Sequence, residues 1–82
     1  MIIIHYDPFS MTSNAYICQR DRQETRYISS NISNLVKDIA AIADELNIYS
    51  VKVDAPSSVV EEIKLQLTTA NYTKQKINVE GI

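Results

Sequence analysis

The hydrophobic pattern of this chain changes period at Ile32, from about two residues to about 3.6. Beyond Ile32 the apolar side chains fall on one stripe, which predicts a helix of about four turns. Ser29, Ser30 and Asn31 are candidate N-caps, and Asn47 suits a left-handed stop. Because both periods occur in one chain, we expect a sheet covered by helices. The stripe consists of Ile32, Leu35, Val36, Ile39, Ile42, Ala43 and Leu46.

Three strand-like segments precede this helix. The first, Ile2 to Tyr6, is apolar on both faces, which predicts an interior strand covered on both sides. Asp7-Pro8 ends it, because proline has no amide proton for a ladder. The second is Ala15–Cys18. After a charged turn at 19–23, the third strand, around Thr25 and Tyr27, is weakly hydrophobic, as is typical of a sheet edge.

Two more strands and a second helix follow. Ile48–Asp54 is a strand that ends in an acid, and Ser58 to Glu61 fits a capping box before an amphipathic helix that reaches Ala70. Lys76–Val79 is a last short strand. We therefore predict a single α/β domain, residues 1–82, in the order β-β-β-α-β-α-β. Its mixed sheet has the strand order 3-2-1-4-5, with strand 2 antiparallel to the rest and two helices mainly on one face.

Composition limits the classes of protein. The 82 residues suffice for one core only, and ten acidic against eight basic residues give a net charge of −2, which brings no general attraction to nucleic acid. The longest apolar run, Met1–Ile4, is far below the roughly 18 residues of a membrane span, so we expect no membrane association. Cys18 is the only cysteine and lies in an apolar segment, so we expect it in the core. Since a single cysteine cannot form an internal disulfide, we expect a reducing, cytoplasmic compartment.

Two acids end strands that the predicted topology makes neighbours. Asp7 and Asp54 are each followed by proline within two residues. In open α/β sheets, sites form beyond the carboxyl ends of adjacent strands. Two carboxylates placed there suit Mg²⁺ or Mn²⁺, which several acids hold in two-metal hydrolysis of a phosphodiester. The alternative is that each aspartate caps a turn or a helix start.

The chain resembles the ribonuclease H-like fold, which includes ribonuclease H and RuvC-type resolvases. Ile3 to Pro8 followed by Asn14–Ile17 is similar to the resolvase pattern, in which an apolar strand ends in Asp-Pro-Gly and a hairpin leads to a second strand. Val51–Asp54 before a helix is similar to the fourth strand of ribonuclease H. The resemblance implies that Asp7 and Asp54 are metal-binding catalytic acids and that Asp38 matches the helix acid of ribonuclease H.

The chain also departs from that family. Phe9 stands where the resolvase pattern has glycine, and the family's last helix, which carries a further acid, has no counterpart in the sequence. Glu80 is the only acid left for that role. His5 shares a strand face with Asp7 and could orient or protonate it, although a packed, hydrogen-bonded histidine is the simpler interpretation.

Local basic and aromatic residues leave nucleic acid as a possible partner. The hairpin of the second and third strands contains three arginines that could hold phosphates: Arg20, Arg22 and Arg26. An edge strand that uses charge against aggregation explains them as well. The tyrosines that could stack on bases are Tyr16, Tyr27, Tyr49 and Tyr72.

Two functions follow as hypotheses. The first is a small, non-catalytic binding module of the ribonuclease H-like fold, of phage or mobile-element type and then acting in the host cytoplasm. With only two helices, we expect the second sheet face to expose isoleucine and valine, and to mediate a homodimer or docking on another protein there or at the third-strand edge. The second is a Mg²⁺- or Mn²⁺-dependent nuclease acting on structured nucleic acid through Asp7, Asp54 and Asp38.

Overall fold

The structure is a computed structural model that describes residues 1–82. It has five strands and two helices in the predicted order, so the α/β class is confirmed. Neither helix has the length and hydropathy that crossing a membrane requires. The elements are β1 (Ile2–His5), β2 (Thr12–Gln19), β3 (Arg22–Ser29), α1 (Ile32–Leu46), β4 (Ser50–Asp54), α2 (Ser57–Thr69) and β5 (Asn78–Gly81).

The strand order is β3-β2-β1-β4-β5, as predicted. β2 runs antiparallel to β1 and β3, whereas β1, β4 and β5 are parallel. The connections through α1 and α2 explain this, since parallel strands need a crossover and antiparallel strands only a short turn. The register pairs His5 with Asp54 at the carboxyl ends of β1 and β4.

The caps of α1 are those that the sequence predicts, and those of α2 are not. Asn31 accepts a hydrogen bond from the N–H of Asn34, and Asn47 ends α1 with a left-handed φ of 55°. The capping box predicted at Ser58 is wrong. α2 starts at Ser57, two residues earlier than that box requires. It follows Pro56, whose φ of −56° already suits a helix start and whose carbonyl accepts the first helical hydrogen bonds.

The strands of the second hairpin are longer than predicted. β2 and β3 have eight residues each and are joined by Arg20 and Asp21 alone, so the predicted five-residue turn is wrong. Arg22 and Gln23 stay in the ladder because β3 lies at the sheet edge, where polar side chains reach water without leaving the strand. β5 lies two residues later than predicted, at the register that pairs it with β4.

Both helices pack on one face of the sheet and bury its aliphatic side chains. Side chains that alternate with these point to the other face, which we call the open face. The strand residues of the core are Ile2, Ile4, Ala15, Ile17, Ile28, Val51, Val53 and Val79, which pack with Leu35, Val36, Ile39, Ala40, Ile42 and Ala43 of α1 and with Val60, Ile63 and Leu67 of α2.

The open face differs from the isoleucine and valine surface that the sequence predicts. Ile3 is its only branched aliphatic side chain on β1 to β5 and is half-buried, so β1 is not covered on both sides. Cys18, predicted to be core, lies half-buried on this face. Polar and tyrosine side chains tolerate water here without a second helical layer. The face consists of Ile3, His5, Asn14, Tyr16, Cys18, Gln23, Thr25, Tyr27, Lys52, Asp54 and Glu80.

Candidate functional site

The carboxyl ends of β1 and β4 bring two polar side chains together on the open face. His5 Nδ1 lies 3.3 Å from Asp54 Oδ2, and the two side chains are 52% and 63% exposed. The backbone N–H of Tyr6 donates to the carbonyl of Asp54 at 3.2 Å, so the parallel pairing continues one residue past β1. This pairing places the His5 ring beside the Asp54 carboxylate and orients both toward solvent.

Asp7 lies at the same end of the sheet and shapes the loop between β1 and β2. Its Oδ1 accepts a hydrogen bond from the N–H of Phe9 at 3.0 Å. This side-chain bond to the backbone two residues ahead is an Asx turn. The carbonyl of Asp7 also accepts the N–H of Ser10 at 3.4 Å, so Asp7 determines the path of the chain through the turn.

A closed ring of hydrogen bonds fixes the backbone of Asp7. Its N–H donates to Ser13 Oγ at 3.0 Å, and Ser30 Oγ donates to its carbonyl at 2.7 Å. Because the Ser30 proton is used in this way, the 2.8 Å contact between the two serine hydroxyls has Ser13 as its donor. Ser13 is the one fully buried polar side chain. Such a ring is cooperative, since each hydroxyl both donates and accepts.

The loop that this ring holds displays two large apolar side chains to solvent. Phe9 is 98% exposed and Met11 is 91% exposed. The backbone around them is tied down, because the N–H of Ser30 donates to the carbonyl of Met11 at 3.0 Å and the N–H of Thr12 to Ser10 Oγ at 3.3 Å. We call His5, Asp7, Phe9, Met11 and Asp54 together the rim.

The three acids of the sequence hypothesis are not all at the rim. Asp7 and Asp54 lie at the same end of neighbouring strands, whereas Asp38 lies in the groove between α1 and β3 and accepts the N–H of Ser29 at 3.0 Å. The three carboxylates therefore do not form one group, and no set of three His, Cys, Asp or Glu side chains is placed to hold a metal ion. Metal binding by Asp7 and Asp54 stays a prediction.

The predicted basic patch is divided. Arg26 lies between Glu24 at 3.2 Å and Glu45 of α1 at 2.7 Å. These hydrogen bonds raise the pKa of the Arg26 guanidinium and lower the pKa of the Glu45 carboxyl. Arg20 and Arg22 are exposed near the hairpin turn.

The tyrosines do not form a single surface either. Tyr16 and Tyr27 share the open face. Tyr49 donates to Asp44 Oδ1 of α1 at 2.8 Å, and Tyr72 follows α2. A stacking platform of four tyrosines is therefore absent from this fold.

Reasoning from sequence missed Phe9 and Met11. The signal was present, because two large apolar residues stand inside a segment of turn formers, between Pro8 and Thr12. In a chain with one small core, apolar side chains in a turn have nothing to pack against. The structure therefore adds exposed apolar side chains to the acids that the sequence singled out.

The protein is thus an α/β sheet domain with one layer of helices. A hydrogen-bonded loop with two exposed apolar side chains lies at the end of the sheet where β1 and β4 end. No family model matches the chain, and no curated protein or solved structure is significantly similar to it.

Proposed function

We propose that this chain is a non-catalytic interaction module that binds a protein partner through the rim. The observation that carries the proposal is the exposure of Phe9 and Met11 on a loop whose backbone is hydrogen-bonded on both sides. Phenylalanine and methionine are enriched at the centres of protein interfaces. The ribonuclease H-like relationship belongs to the same proposal, and the strand order with acids after β1 and at the end of β4 supports it.

The energetics favour such a loop as an anchor. Full burial of one side chain of this size contributes about 1.5–3 kcal/mol. A flexible loop would lose part of this gain in ordering, but the loop from Asp7 to Thr12 already has its hydrogen bonds in place. Phe9 and Met11 would thus act as pre-positioned anchors.

Charge limits the partner's chemistry. Asp7 and Asp54 are exposed acids of the rim, and the chain as a whole carries a net charge of −2. A partner with an apolar cleft bordered by lysine or arginine complements both the anchors and the carboxylates. His5, which lies beside Asp54, offers a further hydrogen-bonding group to such a surface.

The test is a selection of binding peptides from a random library against the wild-type chain. Binders to the rim should carry apolar and basic residues and should lose at least about thirtyfold in affinity, roughly 2 kcal/mol, for Phe9→Ser, measured by calorimetry. Leu65→Ser is the matched control, because Leu65 is also exposed but lies on α2. If the strongest binders respond equally to both variants, the rim is not the binding site.

A divalent-metal nuclease is the second candidate, and the common rim of Asp7 and Asp54 favours it. Two carboxylates supply only part of the octahedral shell of Mg²⁺ or Mn²⁺, so water would complete it. In an NMR titration with Mn²⁺, line broadening centred on these two residues, abolished by Asp7→Asn, would support the nuclease. Absence of broadening at millimolar Mn²⁺ would eliminate it.

A further inference from the structure

β3 is an edge strand with an uncovered outer side. It has eight residues, whereas β5 at the opposite edge has four. Its register with β2 is continuous from Thr12 opposite Ser29 to Gln19 opposite Arg22, without a bulge or a proline. Proteins normally protect a long edge strand with such interruptions. β3 is therefore a template on which another strand can pair.

The direction of the free backbone groups follows from the neighbouring strands. The N–H of Cys18 donates to the carbonyl of Met1, and the carbonyl of Cys18 accepts a hydrogen bond from the Met1 amino group. Both backbone groups of Cys18 therefore point toward β1 and away from β3. Its partner Gln23 therefore makes no ladder bonds with β2, since hydrogen-bonded and non-hydrogen-bonded pairs alternate. The same alternation leaves the N–H and C=O groups of Thr25 and Tyr27 pointing outward.

The end of β3 confirms this direction. Ser29 follows in the same alternation, and its outward N–H is taken by the Asp38 carboxylate. The edge that remains available therefore runs from Gln23 to Tyr27. Asp38, which the resemblance to ribonuclease H implied as the helix acid, closes one end of this edge.

The charges on the available edge, from Gln23 to Tyr27, do not repel a second strand. Arg26 is already paired with Glu24 and Glu45, so the helix-side row of the edge is compensated. On the open face the edge carries only uncharged residues, Gln23, Thr25 and Tyr27.

We propose that β3 pairs antiparallel with β3 of a second copy of this chain, with Thr25 opposite Thr25. Only every second residue of β3 has its N–H and C=O groups pointing outward. The possible registers of two paired copies therefore differ from one another by steps of two residues. In the proposed register, Glu24 of each copy lies opposite Arg26 of the other. The adjacent registers place Glu24 opposite Glu24, or Arg26 opposite Arg26, which is destabilising.

The helices leave room for this pairing. In this arrangement a two-fold axis perpendicular to the sheet passes between the two copies of Thr25. It joins two five-stranded sheets into one of ten strands and keeps all helices on one side. The part of α1 nearest the edge presents Ala41 between Asp38 and Glu45. Alanine is small enough to allow two copies of α1 to approach. The interface does not use the rim, so the two proposals fail independently.

Cysteine cross-linking tests the register. Directly opposed, hydrogen-bonded residues have Cα atoms about 5.5 Å apart, which a disulfide can bridge. In a Cys18→Ser background, Thr25→Cys should therefore form a covalent dimer in a glutathione redox buffer. Gln23→Cys is the matched control, because two copies of Gln23 would lie about 14 Å apart along the strands. The double variant with Gln23→Cys and Tyr27→Cys should cross-link again, since these positions oppose each other.

Two outcomes support the proposal and two overturn it. Thr25→Cys should cross-link at least about tenfold faster than Gln23→Cys, as expected from a high effective concentration. Sedimentation of the wild-type chain should show a dimer that the like-charge variant Arg26→Glu weakens. A wild-type chain that stays monomeric at about 100 μM, a concentration that a specific interface would saturate, contradicts the dimer. Equal cross-linking of Thr25→Cys and Gln23→Cys contradicts the register.

Discussion

The two faces of the sheet differ most clearly along β1. Ile2 and Ile4 point toward the helices and are fully buried, whereas Ile3 and His5 alternate with them on the open face and keep part of their surface in water. The strand is nearly uniform in hydrophobicity, so its composition does not predict this difference. Only one face has helices to cover it. The covered face stabilises the fold, and the open face with its rim stays in contact with water.

The largest expected effect is a contrast between two adjacent isoleucines. Ile4→Ala should lower the free energy of unfolding by about 2–5 kcal/mol, because it leaves a cavity in the core. Ile3→Ala removes the same atoms from a half-buried position and should cost less than half as much. Urea unfolding of both variants measures the contrast. Equal losses would mean that the open face is covered after all.

Ser13→Ala should have the next largest effect. It removes the buried hydroxyl that accepts the N–H of Asp7 and donates to Ser30, which should cost about 1–3 kcal/mol. Ser10→Ala, at an exposed hydroxyl of the same loop, is the control and should cost less. Faster amide exchange at Asp7 in Ser13→Ala alone would locate the effect in the ring.

The pH dependence of stability should report the contacts of Asp44. The N–H of Lys74 and the hydroxyl of Tyr49 lower the pKa of Asp44, so its contribution is present above the unfolded value of about 4 and is lost as pH falls through the lower folded pKa. In urea unfolding between pH 2 and 7, Asp44→Asn should therefore lose most stability relative to wild type near neutral pH and least in acid. A pH-independent difference would contradict this assignment.

Tyr49 gives the opposite dependence at alkaline pH. Its hydrogen bond to Asp44 raises the pKa of Tyr49, so the contribution is present below about 10, the unfolded value, and is lost as pH rises through the higher folded pKa. The stability of Tyr49→Phe should thus approach that of the wild type at pH values above the folded pKa of Tyr49. A stability difference that grows with alkaline pH would count against it.

The smallest effect is expected on the open face. Asp54→Ala removes an exposed carboxylate paired with an exposed histidine, and should change the free energy of unfolding by less than about 0.5 kcal/mol. Urea unfolding checks this. A loss as large as that of Ser13→Ala would show that the rim is part of the folding core and not only a surface.

The boundary of α1 was predictable, whereas the boundaries of β2 and β3 were not. Helical period and caps act within a few residues, so Ile32, Asn31 and Asn47 carried enough information. Strand length depends on the partner strand. Gln19, Arg22 and Gln23 pair in the ladder, although their local pattern is typical of a turn.

The candidate site was predictable in part: the shared position of Asp7 and Asp54 followed from the topology, whereas the position of Asp38 did not. Crossover rules made β1 and β4 parallel neighbours, which placed Asp7 and Asp54 at one edge. The orientation of α1 over β3 sent Asp38 to Ser29, and no local pattern encodes that contact.

Local patterning in the chain was sufficient for the α/β class, the order of elements and the strand topology, because hydrophobic period, caps and connection lengths are properties of neighbouring residues. The packing of the folded chain settled which face of β1 is covered, which acids have partners, and that Phe9 and Met11 face solvent. Burial depends on how different strands and helices pack together, as do the hydrogen bonds of Asp54 with His5 and of Asp38 with Ser29. The sequence of a single segment therefore does not determine them.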